Sequence, residues 1–313
     1  MCDLTNQAFT DEDKAREFLE ASRWPDGPVC PFCGQLDSVK PLGGKSMGPG
    51  WYFCSDCREK FTVRVGTLYE RSHIPLHKWL LATHLIVASK KGMSALQLSR
   101  MLGITYKSAW FMSHRIRAAM TPKARGPRGG GKVVEADETY IGGKEKNKHV
   151  SKRQKGNIGG KGKQAVFALV ERDGRSHSFH IANISGDELR PLIVTHADRK
   201  SSLMTDEGGQ YFHVGKEFAR HEKVNHSADE YVRGDVYTNT AECRFSLMRR
   251  AVYGAHHSVS EAHLPRYLAE WDFKWNTRKV KDGERAAIAL KGIEGKRLTY
   301  RSPDQAAHTQ AAS

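Results

Sequence analysis

The sequence predicts an α/β protein whose main core follows two smaller modules. Three observations carry that expectation. From residue 133 the periodic segments run strand, strand, strand, helix, strand and then helices. Ahead of them lie two Cys-x-x-Cys pairs. Between those pairs and the core lies a helical hairpin broken at a glycine. The 313 residues are enough for two or three domains with a sizeable core.

In chain order, Thr10 to Leu19 predicts a short helix. Thr10 is its expected cap, Asp11, Glu12 and Asp13 lie in the first turn, and Ala15, Phe18 and Leu19 form its apolar face. Next come Cys30-Pro-Phe-Cys33 and, after twenty residues, Cys54-Ser-Asp-Cys57. Two such pairs at that separation are the ligand pattern of a four-thiolate zinc ribbon, with Cys30, Cys33, Cys54 and Cys57 on one structural Zn²⁺. Two redox pairs or chance spacing are the competing readings. A segment this short needs a staple to fold, which favours metal. Cys2 and Cys243 are left over, with no role legible.

Ile74 to Ser89 predicts an apolar helix with Pro75 in its first turn. Ser94 then caps a helix, Gly103 stops it, and Thr105 caps a second, basic helix from Tyr106 to Met120. Helix, turn at glycine and basic helix is the helix-turn-helix pattern, although any short helical hairpin would share the glycine. Charge favours DNA. The chain carries 50 Lys and Arg against 35 Asp and Glu, a net charge of +15. Residues 61–132 alone hold thirteen basic residues and a single acid, Glu70. Such a surface implies a polyanionic partner, most often nucleic acid, and together with the helix-turn-helix pattern double-stranded DNA, with Lys107, Arg115 and Arg117 as candidate contacts. Residues 121–132 hold two Pro and four Gly and read as a linker.

Val133 to Gly143 reads as a strand that collects Glu135, Asp137 and Glu138. A charged edge strand would explain the acids, and so would a functional site, since buried unpaired charge is costly. Lys144 to Lys163 carries eight basic residues and no apolar period. It is expected to be a loop that touches phosphate, with Lys152, Arg153 and Lys155 as candidates. Gln164–Glu171 and Ser176–Ile181 read as strands joined at Asp173-Gly174, and Ser185 caps a helix to His196. Ser201 to Thr205 is a short strand ending in Asp206-Glu207-Gly208-Gly209, which puts a carboxylate at the sheet's carboxyl edge. A helix end and a further strand follow between Phe218 and Val224. Tyr237 to Arg250 reads as a helix on which Glu242 and Arg249 share a face, followed by helices over Val259–Arg278 and Ala286–Ile293.

No stretch approaches the ~20 apolar residues of a membrane span. The opening residues are acidic and helical in pattern, unlike a signal peptide, so a cytoplasmic protein with free or metal-bound thiols is expected.

Several pieces together resemble a known family. They are the two Cys pairs, Phe61-Thr62-Val63-Arg64-Val65-Gly66-Thr67, Ile74-Pro75-Leu76 with Lys78-Trp79, Ala136-Asp137-Glu138-Thr139-Tyr140-Ile141-Gly142-Gly143, Val224-Asn225-His226-Ser227, Asn239-Thr240-Ala241-Glu242 and Arg266-Tyr267-Leu268. The chain is similar to bacterial insertion-sequence transposases of the DDE type, within the group that carries an N-terminal zinc ribbon. The resemblance implies a ribonuclease H-like mixed sheet flanked by helices. It implies Asp137, Asp206 and Glu242 as a catalytic triad holding Mg²⁺ or Mn²⁺. It further implies DNA strand cleavage and transfer by a homo-oligomer on paired element ends. Asn239 competes with Glu242 for the third place, and each acidic doublet offers a second acid. On an ideal strand Glu138 would face away from Asp137, while Glu135 would share its face. Arg249 is expected near phosphate, and His226 as a local hydrogen-bonding or DNA contact.

The expected layout is 1–65 helix and zinc ribbon, 66–120 helix-turn-helix region, 121–132 linker, 133–295 core and 296–313 polar tail. A non-catalytic DNA-binding regulator, or a nuclease of the same fold without strand joining, would use much of the same sequence.

Overall fold

A computed structural model describes residues 4–44, 47–122, 126–143, 149–153 and 162–299. It divides into two units, Met1–Thr121 with Lys279–Ser313, and Pro122–Arg278.

In the first unit, helix α1 (Glu12–Arg23) precedes a three-stranded antiparallel sheet of β1 (Val39–Leu42), β2 (Trp51–Cys54) and β3 (Lys60–Thr62), in that order. Asp11, not Thr10, caps α1: its carboxylate accepts from Lys14 N at 2.8 Å. The Thr10 hydroxyl donates backwards to Gln7 O instead. The aromatic interior of this module is small. Trp24 meets Tyr52 and Phe61 edge-on, with ring centroids 5.5 and 5.9 Å apart.

Helices α2 (Leu76–Ala88), α3 (Ala95–Leu102) and α4 (Tyr106–Met120) follow. Ser94 and Thr105 cap α3 and α4, and Gly103 ends α3 at φ +60°, where a side chain would be strained. Helix α9 (Asp282–Lys291) packs on α2 and α4. The core was expected to run to 295, yet residues 279–299 belong to this first unit. Ala286, Ala289, Leu290 and Ile293 are buried there, and Glu294 pairs with Arg23 at 3.0 Å. Lys296 reaches the carbonyls of Ala118 and Thr121 at 2.9 and 2.7 Å, closing the carboxyl end of α4.

The second unit is built on a five-stranded mixed sheet. Its strands are β4 (Val133–Ile141), β5 (Gln164–Glu171), β6 (Ser176–Ile181), β7 (Ser202–Thr205) and β8 (Arg220–Lys223), in the order β6-β5-β4-β7-β8. The first three strands form an antiparallel meander, whereas β7 and β8 join parallel. Helix α5 (Gly186–His196) is the crossover before β7, and the short α6 (Phe212–Gly215) precedes β8. Helices α7 (Asn239–Ala251) and α8 (Leu264–Asn276) complete the unit.

The unbroken apolar run of β5 now has its reason: the strand is covered on both faces. Phe167 and Leu169 pack with Val134, Ala136, Leu189 and Ile193 on one side. Val166, Ala168 and Val170 pack with Phe245, Met248, Leu268 and Trp271 on the other. Across that second face runs a buried ion pair, Arg244 of α7 to Asp272 of α8 at 2.6 Å. Ser176 and Ser178 of β6 also bond the Asp272 carboxylate. No helix among the described residues is long and apolar enough to cross a membrane.

Candidate active site and metal centres

The parallel pairing of β4 with β7 matches Glu135 with Met204 and then stops, because β7 ends at Thr205. Continuing that register brings Asp137 level with Asp206, the first residue beyond β7. One carboxyl oxygen from each of Asp137, Glu138 and Asp206 lies within 4.8 Å of the others. The alternation rule had Glu138 turned away. It reaches the group because β4 has no ladder partner on that side past Glu135, so side chains from both strand faces can bend into the gap.

Local bonds orient these acids. Asp137 accepts from Glu138 N at 2.7 Å, and Asp206 accepts from Gly208 N at 3.0 Å within the glycine turn. Gln210, which that turn brings back towards the sheet, donates to Glu138 at 3.1 Å. The Tyr211 phenol is buried beside Glu138, and desolvation with that neighbouring charge pushes it well above its ordinary value. Among the described residues no Lys or Arg pairs with the three acids. Burial, then the charges of Glu138, Asp206 and Glu242, pushes Asp137 up to about 8. Burial likewise lifts Glu138 to about 7, against hydrogen bonds that lower it.

Glu242 stands outside the three-acid group. It lies in the first turn of α7, is half exposed, and approaches His226 Nε2 at 3.7 Å. It remains close enough to Asp137 for its charge to be felt there. Asn239, its rival, opens α7 and is exposed. Arg249, two turns beyond Glu242, donates to the Thr139 hydroxyl on β4.

The other acids of the doublets have separate work. Glu207 accepts from His226 N at 2.9 Å and from Ser227 Oγ at 2.6 Å, so it anchors the loop that brings His226 to Glu242. Glu135 is completely buried and bonds Arg172, Thr240 and Ala241. Nothing in the local sequence foretold these partners, which lie 19 to 106 residues away.

The four cysteines also converge. Cys30 and Cys57 sulfurs are 3.5 Å apart, Cys33 and Cys54 sulfurs 3.6 Å, and all four lie within 4.8 Å of one another. A tetrahedral ion with Zn–S bonds of ~2.3 Å needs sulfurs about 3.8 Å apart, so the set fits Zn²⁺. Backbone N–H groups, that of Cys57 foremost, lower the Cys54 thiol to about 7, towards the thiolate a metal requires. The three-carboxylate group is an all-oxygen donor set and suits a hard divalent ion.

The basic candidates divide. Lys107 and Arg153 are exposed. Arg117 is not: only 2% accessible, it lies inside the helical unit, because α4 packs against α2, α3 and α9 and little of its surface is left. Arg115 is half-buried and already committed, donating to the carbonyls of Glu70 and Leu298 at 3.0 and 3.2 Å. Lys155 and the side chain of Lys152 lie outside the described residues.

Comparison with known proteins agrees with this geometry. Residues 129–276 match the family described as the ISXO2-like transposase domain, and residues 10–60 match the transposase zinc-ribbon domain. A relative from Halobacterium salinarum, called an uncharacterized protein in transposable element ISH50, is 30% identical over 281 residues. The match covers 86% of this chain and 92% of the relative. With a zinc ribbon at its front, carboxylates gathered at the open edge of a mixed sheet, and that similarity along most of its length, the chain belongs to the ISXO2-like transposase family.

Proposed function

We propose that the chain is a DNA transposase that binds the terminal repeats of its element, cuts a strand at the element end and joins the freed 3′-hydroxyl to target DNA. One observation carries the chemistry: Asp137, Glu138 and Asp206 meet beyond the carboxyl end of β7, and among the described residues no Lys or Arg pairs with them. Like charges held together in a half-buried place cost stability, and a bound divalent ion removes that cost.

Asp137 and Asp206 would hold Mg²⁺ or Mn²⁺, with Glu242 completing the set from α7 and Glu138 a further oxygen donor within reach. Bound divalent ions supply activation of the attacking oxygen and stabilisation of the leaving oxygen of a phosphodiester. The protein side chains fix where the DNA strand lies. Arg249, near Thr139 on the strand that carries Asp137, offers a fixed cation for a phosphate. His226 buttresses Glu242 from the loop that Glu207 anchors.

DNA is held elsewhere in this reading. The zinc ribbon and the α3–α4 hairpin bind the repeats, with Lys107 at the exposed start of α4, and the basic loop with Lys152, Arg153 and Lys155 adds phosphate contacts. Arg115 and Arg117 serve the packing of the helical unit instead. Copies of the chain assemble on paired ends in the cytoplasm.

Purified protein with Mg²⁺ and DNA bearing the flanking repeats tests the reading. Cleavage with joining supports it. Cleavage without joining indicates a nuclease, and binding alone a regulator. Asp206→Asn should abolish cleavage while DNA binding persists; cleavage by that variant would refute the assignment.

A further inference from the structure

Glu135 shares the face of β4 with Asp137 and stands two residues before it, yet its carboxylate takes no part in the acidic group. The side chain is completely buried. Its Oε1 accepts from Arg172 Nε at 2.7 Å and from Thr240 Oγ1 at 2.9 Å, and its Oε2 accepts the backbone N–H of Ala241 at 2.9 Å. Thr240 and Ala241 lie in the first turn of α7, and Thr238, the residue at its cap position, makes no side-chain cap bond. First-turn N–H groups have no partner inside a helix, and a carboxylate there also meets the positive end of the helix dipole. A residue of β4 therefore caps α7 from across the fold.

Arg172, just past the end of β5, extends the link. Its guanidinium donates to Asp235 O at 2.7 Å and Tyr237 O at 2.8 Å, and lies 3.5 Å from the centre of the Tyr237 ring. The approach to α7 and its first turn are thus tied to the strand that bears Asp137. Glu242 is the next residue after Ala241. Its own side chain is half exposed and, among the described residues, its ion pair is with His226 at 3.7 Å, so its position depends on where the first turn of α7 is fixed.

A well-packed apolar pair could hold a helix against a strand at no greater cost than a buried ion pair. It would leave the helix free to rotate or slide by a fraction of a turn. Bonds to one particular N–H and one particular hydroxyl remove both freedoms.

We propose that Glu135 and Arg172 are positioning residues for the third metal carboxylate: they lock the first turn of α7 to β4 and so set Glu242 relative to Asp137. This rests on the reading of Glu242 as a metal ligand.

The test is Mn²⁺ binding to the full-length, zinc-loaded protein, followed by electron paramagnetic resonance, with Mg²⁺-dependent cleavage alongside. Glu135→Gln should weaken Mn²⁺ binding by roughly tenfold, the low end of what loss of an orienting partner costs a metal site. The Mg²⁺ concentration for half-maximal cleavage should rise by the same factor, while the rate at saturating Mg²⁺ is largely recovered. In a Glu242→Gln background the same change should add nothing, because Glu135 acts through Glu242. Thr240→Val, which deletes a single bond at a half-buried position, should give a smaller loss, and Thr240→Ser should restore wild-type affinity. These two decide the matter if Glu135→Gln does not fold. Unchanged Mn²⁺ affinity in folded Glu135→Gln and Thr240→Val, or a full further loss on top of Glu242→Gln, overturns the inference alone. Unchanged Mn²⁺ affinity in Asp137→Asn overturns the active-site reading, and this inference with it.

Discussion

Glu207 and Ser227 are joined by a 2.6 Å hydrogen bond that ties the loop after β8 to the residue following Asp206. With the N–H groups of His226 and Ser227 this bond draws Glu207 down to about 2. A carboxylate whose folded pKa is depressed stabilises the fold above its unfolded value near 4.3 and loses that contribution as pH falls. Glu207→Gln should therefore be less stable than wild type at neutral pH. The gap between their melting curves should narrow as pH drops from about 5 towards 2. A gap independent of pH would disprove the electrostatic origin of the anchor.

Asp137 has the opposite sign. Its folded pKa is raised to about 8, so ionisation costs the metal-free fold stability progressively from about pH 4 upwards. In zinc-loaded protein without added Mg²⁺ or Mn²⁺, Asp137→Asn should melt a few degrees above wild type at pH 8, and the two should coincide near pH 4. Added Mn²⁺ should raise the wild-type Tm and leave the variant unmoved. Scanning calorimetry at several pH values would check both statements.

The ion pair of Arg244 and Asp272 ties α7, α8 and β6 together inside the second unit. Asp272→Ala leaves a buried guanidinium unpaired and should cost roughly 3–5 kcal/mol in denaturant unfolding. The double change Arg244→Met with Asp272→Leu should recover most of that loss. If the single change is tolerated without cost, the pair contributes less than its burial suggests.

The zinc ribbon gives a compositional prediction. Purified protein should contain zinc equimolar with chain, and Cys54→Ser or a strong chelator should release it and expose Trp24 to solvent. Elemental analysis and tryptophan fluorescence would report the two events.

Two basic residues of α4 should separate by assay. Lys107→Ala should weaken DNA binding and lower the slope of log affinity against log salt by about 1. Arg117→Ala should lower the unfolding midpoint and leave that slope unchanged, because the side chain is buried.

Much of the architecture was legible because its signals are local. The strands at Gln164–Glu171 and Ser176–Ile181, the caps at Ser94, Thr105 and Ser185, and the stop at Gly103 are each written within a few residues. The cysteine cluster follows from spacing for the same reason. Tertiary packing decided the rest. The alternation rule assumes a strand with neighbours on both sides, and β4 loses one past Glu135, which freed Glu138. Charge marked Arg117 as a surface residue, whereas helices α2, α3 and α9 cover the side of α4 it occupies. An apolar stripe on α9 says that something covers it, but not which unit. The roles of Glu135 and Glu207 rest on partners distant in sequence, beyond the reach of any short pattern.

The placement of α9 has a consequence for biosynthesis. The segment Pro122–Arg278 leaves the ribosome complete in its own contacts, whereas the residues before it must wait for α9 and Lys296 to be translated. The first unit is therefore completed only after the second has been translated, although domains usually finish amino end first. A nascent chain stalled after Arg278 would carry all the residues of the carboxylate site, while the first unit still lacked its last helix.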